Sequence, residues 1–242
     1  MSEIKPYRDS SAGKKEQIAT MFDRIAPKYD FLNHTLSFGI DKIWRRKAIR
    51  LISAYAPETI LDVATGTGDF AIAALKSGAK KITGIDISKE MVAVGREKVK
   101  KLGLQDCIVL TTGDSESIQF ADQSFDAATV AFGVRNFENL GRGLSELFRV
   151  LKSGGVLCVL EFSKPRQPLI RFAYNFYSKS LMPWLGRKIS GDPAAYTYLP
   201  ESVQEFPDGE NFITFMKDSG FTDVREFRLT FGIATIYLGR KG

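Results

Sequence analysis

The hydrophobic residues of this chain follow two periods, and the change between them falls near Pro57. Before Pro57 the apolar positions have helical spacing in two stretches, 18–29 and 42–55, and Pro27 ends the first. After Pro57, short apolar runs alternate with amphipathic segments. Strands that alternate with helices in this way indicate βαβ units and a parallel sheet.

Five of the later apolar runs are short enough to be buried strands, and the segments between them are typical of helices. The predicted strands are 59–64, 81–86, 107–111, 125–132 and 156–162. The predicted helices are 70–76, 89–102 with Ser88 as N-cap, and 139–151 with a stop at Gly154-Gly155. The remaining segments are an aromatic insert at 165–211, a helix at 212–219 and a closing antiparallel pair at 222–229 and 233–238.

We therefore predict a single α/β domain over residues 1–242, with a doubly wound, mostly parallel sheet. An N-terminal helical cap precedes the sheet, a mobile arm occupies 1–15, and the insert at 165–211 follows strand five. The insert is expected to cover the substrate.

The composition is that of an ordinary globular chain, with 44% hydrophobic and 26% charged residues, which excludes disordered and fibrous classes. Cys107 and Cys158 form no C-x-x-C pair and His34 is the single histidine, so we expect no metal site, and no Ser-His-Asp hydrolase unless His34 is its base. The polar N-terminus and short apolar runs predict a cytoplasmic chain. The net charge of +6 permits an anionic membrane surface or a nucleic acid as partner, and we expect no nucleic acid.

A glycine-rich turn follows the first predicted strand and includes Asp62, Gly66 and Gly68. Small residues at such a turn let a ligand approach the backbone, whose free N–H groups favour a polar or negative group. Asp86 ends the second strand, where a carboxylate can accept hydrogen bonds from both hydroxyls of a ribose. These features fit an S-adenosylmethionine enzyme, a nicotinamide enzyme or a structural turn.

Three further positions favour S-adenosylmethionine. Asp62 lies on the strand itself, near the expected amino acid end of that ligand, and Asp114 can meet the adenine amino group after the third strand. The fourth strand ends at residues 132–136, at the carboxyl edge where open sheets bind ligands. Because four loops meet at one edge, we predict S-adenosylmethionine as cofactor and methyl donor, with a nicotinamide oxidoreductase as the alternative.

Two longer motifs are more specific. The first is Y-D-F-L-N-H-T-L-S-F-G-I-D at 29–41, with Trp44 three residues on. The second runs from R-V-L-K-S-G-G at 149–155 to E-F-S at 161–163. Both closely resemble signatures of the ubiquinone/menaquinone biosynthesis C-methyltransferases. With the loops and the fold, the resemblance covers residues 18–241.

The resemblance implies methylation of a ring carbon of a prenylated demethylmenaquinol, with a benzoquinol of ubiquinone biosynthesis, or both, as the alternative. By position it implies four cofactor contacts: Thr67, Asp86, Asp114 and Ser115. The chain departs from the family pattern by carrying Ala64 for a glycine, Asp41 for a histidine and Ser153 for a proline.

The implied reaction needs a stabilised phenolate, because loss of the phenolic proton moves charge onto the ring carbon. Arg135, after strand four, is the candidate for this role, and Asn136 would position it. Within the insert, Tyr196 is a candidate hydrogen-bond donor and Asp192 a candidate base. His34 is expected to be a packing or surface residue.

The prenyl tail of the implied acceptor lies in the bilayer, so we expect transient peripheral contact with the inner face of the membrane. The residues expected nearest the lipid are 172–184 with Arg171, Lys179, Arg187 and Lys188. A homo-oligomer is compatible with the sequence.

Overall fold

The computed structural model describes residues 4–177 and 192–242, apart from the side chains of Asn175, Pro193 and Tyr196. The helices are α1 Lys14–Ile25, α2 Tyr29–Leu36, α3 Ile40–Ser53, α4 Asp69–Ala74, α5 Lys89–Lys101, α6 Leu140–Val150, α7 Pro168–Phe176, α8 Pro193–Glu205 and α9 Glu210–Asp218. The strands are β1 Thr59–Val63, β2 Lys81–Asp86, β3 Ile108–Thr112, β4 Phe125–Ala131, β5 Leu151–Phe162, β6 Thr222–Leu229 and β7 Ala234–Arg240.

These strands form one sheet in the order β3-β2-β1-β4-β5-β7-β6. The first five strands are parallel, and β7 lies antiparallel between β5 and β6. The strand order reverses between β1 and β4, which opens a crevice at their carboxyl ends. The predicted doubly wound, mostly parallel sheet is confirmed, as is its closing antiparallel pair.

Helices cover both faces of the sheet, which explains why the central strands read as continuous apolar runs. Buried residues of α3, α4 and α5 pack on one face, and those of α6 and α9 pack on the other. A third cluster joins α1 and α2 to Ala195 and Tyr198 of α8. The N-terminal helices and the second half of the insert therefore meet over the carboxyl edge of the sheet.

Two predicted boundaries differ from the structure. The Gly154-Gly155 pair lies inside β5, which begins at Leu151, so it does not terminate the preceding helix. A Cβ on Gly155 would lie 2.8 Å from the carbonyl oxygen of Lys152 and 3.0 Å from that of Asp126. Glycine is therefore required here by a close backbone approach within the strand.

The second boundary is that of the predicted arm at 1–15, whose described part makes specific contacts, while its mobility stays a prediction. The Tyr7 hydroxyl donates to the Asp192 carboxylate, and Arg8 lies 2.6 Å from Glu201. Burial raises the pKa of Tyr7 to about 12, so the phenol remains a donor. Lys14, inside the predicted arm, begins α1.

Candidate functional site

Two adjoining cavities open at the carboxyl edge of the sheet. The small cavity, about 70 Å³, is lined by Gly66, Asp86 and the loop at 113–116. The large cavity, about 250 Å³, is lined mainly by aromatic and aliphatic side chains. Three aromatic rings line both cavities: Phe22, Tyr29 and Phe132. Ligands in the two cavities would therefore meet across these rings.

Asp86 and the glycine turn are joined by hydrogen bonds. The N–H of Gly66 donates to Asp86 Oδ2 at 2.7 Å, and the N–H of Ser88 donates to Oδ1 at 2.9 Å. Burial raises the pKa of Asp86 to about 6. Gly66 has a φ of +56°, a conformation that favours glycine. The carboxylate thus holds the turn and also faces the small cavity.

Asp62 has a different environment from the one its motif suggested. It is buried on β1, and its carboxylate accepts hydrogen bonds of 2.6 Å from the hydroxyls of Thr65 and Thr129. Burial raises its pKa to about 6. Within the described ranges Asp62 lines neither cavity. The structure gives it the role of fixing the turn to β4.

Thr67 and Gly68 also lie outside the described walls of both cavities. The Thr67 hydroxyl donates to Asp30 and accepts from Lys98 Nζ at 3.1 Å. Gly68 has a φ of +79°, and a Cβ there would lie 3.0 Å from Leu110. These two residues shape the turn from its far side.

Ala64 occupies a position where glycine is favoured, since its φ is +54°. A Cβ on Gly133 would lie 2.4 Å from the Cβ of Ala64. Gly133 therefore leaves room for the methyl group that Ala64 brings to the crevice. The adjacent Phe132 also has a positive φ, +58°, and places its ring between the two cavities.

Asp114 and Ser115 both line the small cavity, as predicted for groups near a ligand. Lys15 of α1 reaches across the cavity edge, with Nζ 2.8 Å from Asp114 and 3.1 Å from Glu116. Glu116 in turn accepts from the backbone N–H groups of Glu138 and Asn139. The N-terminal helix therefore closes over the small cavity through an ion pair.

Arg135 lies in the wall of the large cavity and is almost fully buried. Its Nη1 lies 2.8 Å from Glu161 Oε1 and also donates to the carbonyl of Phe132, and its Nε donates to Ser202 at 3.2 Å. Among the described residues Nη2 has no hydrogen-bond partner. The guanidinium is thus fixed on one side and has a donor left for a ligand.

The other predicted catalytic residues are dispersed. Asn136 lines the small cavity and accepts a 3.1 Å hydrogen bond from the Tyr198 hydroxyl. Asp192 caps α8 by accepting from the N–H of Ala194, and in the described structure it lines neither cavity. That capping role does not support Asp192 as a base. The side chain of Tyr196 lies outside the described residues.

A polar cluster beside the large cavity could be predicted only in part from the sequence. His34 lies between two carboxylates, with Nδ1 3.0 Å from Asp41 and Nε2 3.3 Å from Asp69. Arg45 lines the large cavity with Asp41, and its Nη1 lies 3.3 Å from Asp69. The Nε of Arg45 is buried and has no hydrogen-bond partner in the described chain. Asp41 Oδ2 lies 3.6 Å from this Nε, which is an ion pair without a hydrogen bond.

Sequence reasoning missed Lys15, Arg45 and Tyr198 as site residues. Lys15 and Tyr198 reach their partners across the fold, so these contacts do not follow from neighbouring residues. Arg45 is the exception, because it directly follows Trp44 of the first signature. Within the described ranges, no cluster of three metal-binding side chains is present, and no helix is both long and apolar enough to cross a bilayer.

Comparison with known proteins agrees with this geometry. A demethylmenaquinone methyltransferase of Bacteroides fragilis is 52% identical over 98% of this chain and 97% of its own length. A ubiquinone/menaquinone biosynthesis C-methyltransferase of Geotalea uraniireducens is 48% identical over 94% and 97%.

A solved SAM-dependent methyltransferase from Thermotoga maritima shares the fold, with a TM-score of 0.63 at 20% identity, over 93% of this chain and 100% of that one. The profile of the ubiE/COQ5 methyltransferase family matches residues 10–241. The predicted enzyme class, with S-adenosylmethionine as methyl donor, is confirmed over the nicotinamide alternative. The chain belongs to the ubiE/COQ5 methyltransferase family.

Proposed function

We propose that this chain transfers a methyl group from S-adenosylmethionine to a ring carbon of a prenylated demethylmenaquinol, giving menaquinol. The observation that carries the proposal is the meeting of a small polar cavity and a large aromatic cavity at Phe22, Tyr29 and Phe132. The acceptor class is taken from the name of the Bacteroides fragilis relative. Methyl transfer requires donor and acceptor to be held in contact, which adjoining cavities achieve.

The chemistry of the small cavity fits the methyl donor. Gly66, Asp86, Asp114 and Ser115 would hold it, through a close backbone approach, ribose hydroxyls and the adenine amino group. When bound, S-adenosylmethionine supplies a methyl group already activated by a positive sulfur. Lys15 of α1, paired with Asp114 at the edge of this cavity, would lie close to the bound donor.

The large cavity suits a flat aromatic acceptor. The rings of Phe132 and Phe162 lie 4.6 Å apart between centroids, and Trp44 lies 6.1 Å from each. The Trp44 indole N–H donates to the Thr230 hydroxyl at 2.8 Å, which fixes the orientation of its ring. Such walls bind a quinol ring by apolar contact and keep competing water away from the reacting carbon.

Two arginines supply polar recognition of the two quinol oxygens. Arg135 Nη2 would donate to the oxygen beside the reacting carbon and stabilise it as phenolate. Arg45, which lines the large cavity and has its Nε 3.6 Å from Asp41 Oδ2, would donate from its guanidinium to the other oxygen. The Tyr198 bond to Asn136 would keep the loop after β4 in place. The assignment of Arg135 gives its Nη2 an acceptor.

Peripheral membrane contact is part of the proposal. Leu169, Phe172 and Phe176 of α7 are 78%, 73% and 66% exposed, at a spacing that places them along one side of the helix. Phe38, which lines the large cavity, is 79% exposed. An apolar surface at a cavity mouth suits entry of a prenylated substrate from the cytoplasmic leaflet. A homo-oligomer stays a prediction.

A binding experiment tests the donor and acceptor classes together. Thermal unfolding is followed with S-adenosylhomocysteine, with NAD, and with a reduced short-chain demethylmenaquinone. We expect stabilisation by S-adenosylhomocysteine and a further rise when the quinol is added, because each ligand binds the folded state. Stabilisation by NAD alone, or no response to the quinol, would contradict the proposal.

A further inference from the structure

A third cavity, a cleft beside the large cavity, is not used by the methyl-transfer reaction. We infer that this basic cleft, lined by Lys164, Arg166, Arg171 and Arg228, binds the phosphate of an anionic phospholipid headgroup. The inference rests on the proposed membrane contact and identifies its polar partner. It would orient the cavity mouth toward the lipid surface from which the prenylated acceptor enters.

The cleft is continuous with the large cavity, since Tyr174 lines both. It has a volume of about 370 Å³. A Cβ on Gly209 would lie 3.2 Å from an Nη2 of both Arg166 and Arg228. The guanidinium groups of Arg166 and Arg228 therefore approach the same point beside Gly209, which has no side chain. Arginine presents paired donors that match the oxygens of a phosphate.

The positive charges of the cleft exceed its negative charges. Lys164 and Asp208 pair with each other at 3.1 Å, and Arg228 lies 3.3 Å from Glu226. Among the described residues, the side chains of Arg166 and Arg171 have no hydrogen bond or ion pair. Converging like charges repel each other unless an anion lies between them. The cleft thus has the charge and the geometry of an anion site.

The surroundings of the cleft distinguish a lipid phosphate from a soluble one. Arg171 lies on α7 beside the exposed Phe172, and Phe231 follows the strand that carries Arg228. Phe231 is 68% exposed although its φ of +57° is unfavourable for a side chain of this size. Strained backbone that holds an aromatic ring in solvent favours a membrane contact. A soluble phosphate ester would need none of these rings.

The test compares binding of the full chain to vesicles of phosphatidylcholine with and without phosphatidylglycerol. The double variant R166Q/R171Q is compared with K100Q/K101Q, which removes the same charge from exposed residues at the far end of α5. We expect R166Q/R171Q to lower the partition coefficient by about thirtyfold and the control by less than about threefold. Melting curves establish that both variants are folded.

Three results would overturn the inference: equal losses in the two variants, equal wild-type binding to both kinds of vesicle, or binding of glycerol phosphate at Arg166 and Arg171 without vesicle binding. The last would assign the cleft to a soluble phosphate. Methyl transfer to a water-soluble short-chain quinol is measured on the same proteins. If the wild-type chain does not methylate this quinol, the proposed function is contradicted. The vesicle experiment still tests the phosphate site in that case.

Discussion

Arg135 and Glu161 form a 2.8 Å ion pair between the loop after β4 and the end of β5, with the Glu161 side chain fully buried. Burial raises the pKa of Glu161 even though the guanidinium opposes the shift. The Glu161 carboxylate therefore holds Arg135 in the wall of the large cavity and does not itself contact the ligand. Structural and catalytic roles of Arg135 must be separated by experiment.

Arg135→Ala leaves a buried carboxylate without its partner, which should lower the free energy of unfolding by about 3 to 5 kcal/mol. R135Q/E161Q should regain most of that stability, because no charge is then buried. Both proteins should lose about a hundredfold to a thousandfold in methyl-transfer rate if the guanidinium stabilises the phenolate. Chemical unfolding and single-turnover kinetics measure the two effects. A rate that recovers with stability would make Arg135 purely structural.

Affinity for S-adenosylhomocysteine should depend on pH through Asp86, whose pKa is raised to about 6 by burial. The ribose needs the ionised carboxylate, whereas the free protein protonates it below that pH. Affinity should therefore fall as pH is lowered through 6, by up to about tenfold per unit. Calorimetric titration of wild type and Asp86→Asn checks this, since the variant should bind weakly with a flat profile. A pH-independent wild type would remove Asp86 from the ribose site.

Lys15 should slow entry of the methyl donor, because its ion pairs with Asp114 and Glu116 close the small cavity. Partly exposed pairs of this kind are worth up to about 1 kcal/mol, so Lys15→Met should speed association of S-adenosylhomocysteine by about fivefold at most. Stopped-flow binding gives the rate constant. Slower association in the variant would show instead that Lys15 attracts the donor.

Ala64→Gly should stabilise the fold, contrary to the usual effect of adding a glycine. The φ of +54° costs alanine about 1 kcal/mol, which glycine avoids. Ala71, a buried helical alanine, supplies the control, since Ala71→Gly should destabilise. Urea unfolding of both variants gives the comparison. A loss of stability in both would mean that Ala64 gains more from packing than its backbone loses.

Arg45→Met should weaken the quinol and leave the donor unaffected. Removing a charged donor from a buried oxygen should raise the quinol KM by about tenfold to a hundredfold. Arg46→Met, one residue along α3 and exposed, is the matched control. Steady-state kinetics and titration with S-adenosylhomocysteine separate the two ligands. Equal KM values in both variants would show that Arg45 does not contact the quinol.

The alternation of apolar runs and amphipathic segments was sufficient to predict the sheet, because each central strand is buried on both faces. Gly66 and Asp86 could be found for the same reason, since the carboxyl ends of parallel strands share one edge. Asp62 and Thr67 line neither described cavity, and their contact with a ligand stays a prediction. The direction of a side chain at a turn depends on φ and on partners such as Thr129 and Lys98, which no local motif specifies.

Contacts between residues that are distant in the sequence explain the other features that could not be predicted. Arg135 and Glu161 each belong to a recognised segment, yet their ion pair arises because β4 and β5 are neighbours. The contacts of Lys15 with the loop after β3 depend on where α1 packs. In the insert, apolar residues are irregularly spaced, so α8 and its cap at Asp192 appear only in three dimensions.

Transfer of label from methyl-labelled S-adenosylmethionine to a panel of reduced prenylated quinones measures the proposed reaction itself. We expect labelled menaquinol from reduced demethylmenaquinone, with the label on the ring carbon beside a hydroxyl. A comparison of kcat/KM for naphthoquinol and benzoquinol acceptors then establishes which ring the large cavity prefers. Label on oxygen or nitrogen, or no transfer to any reduced quinone by the folded protein, would contradict the account.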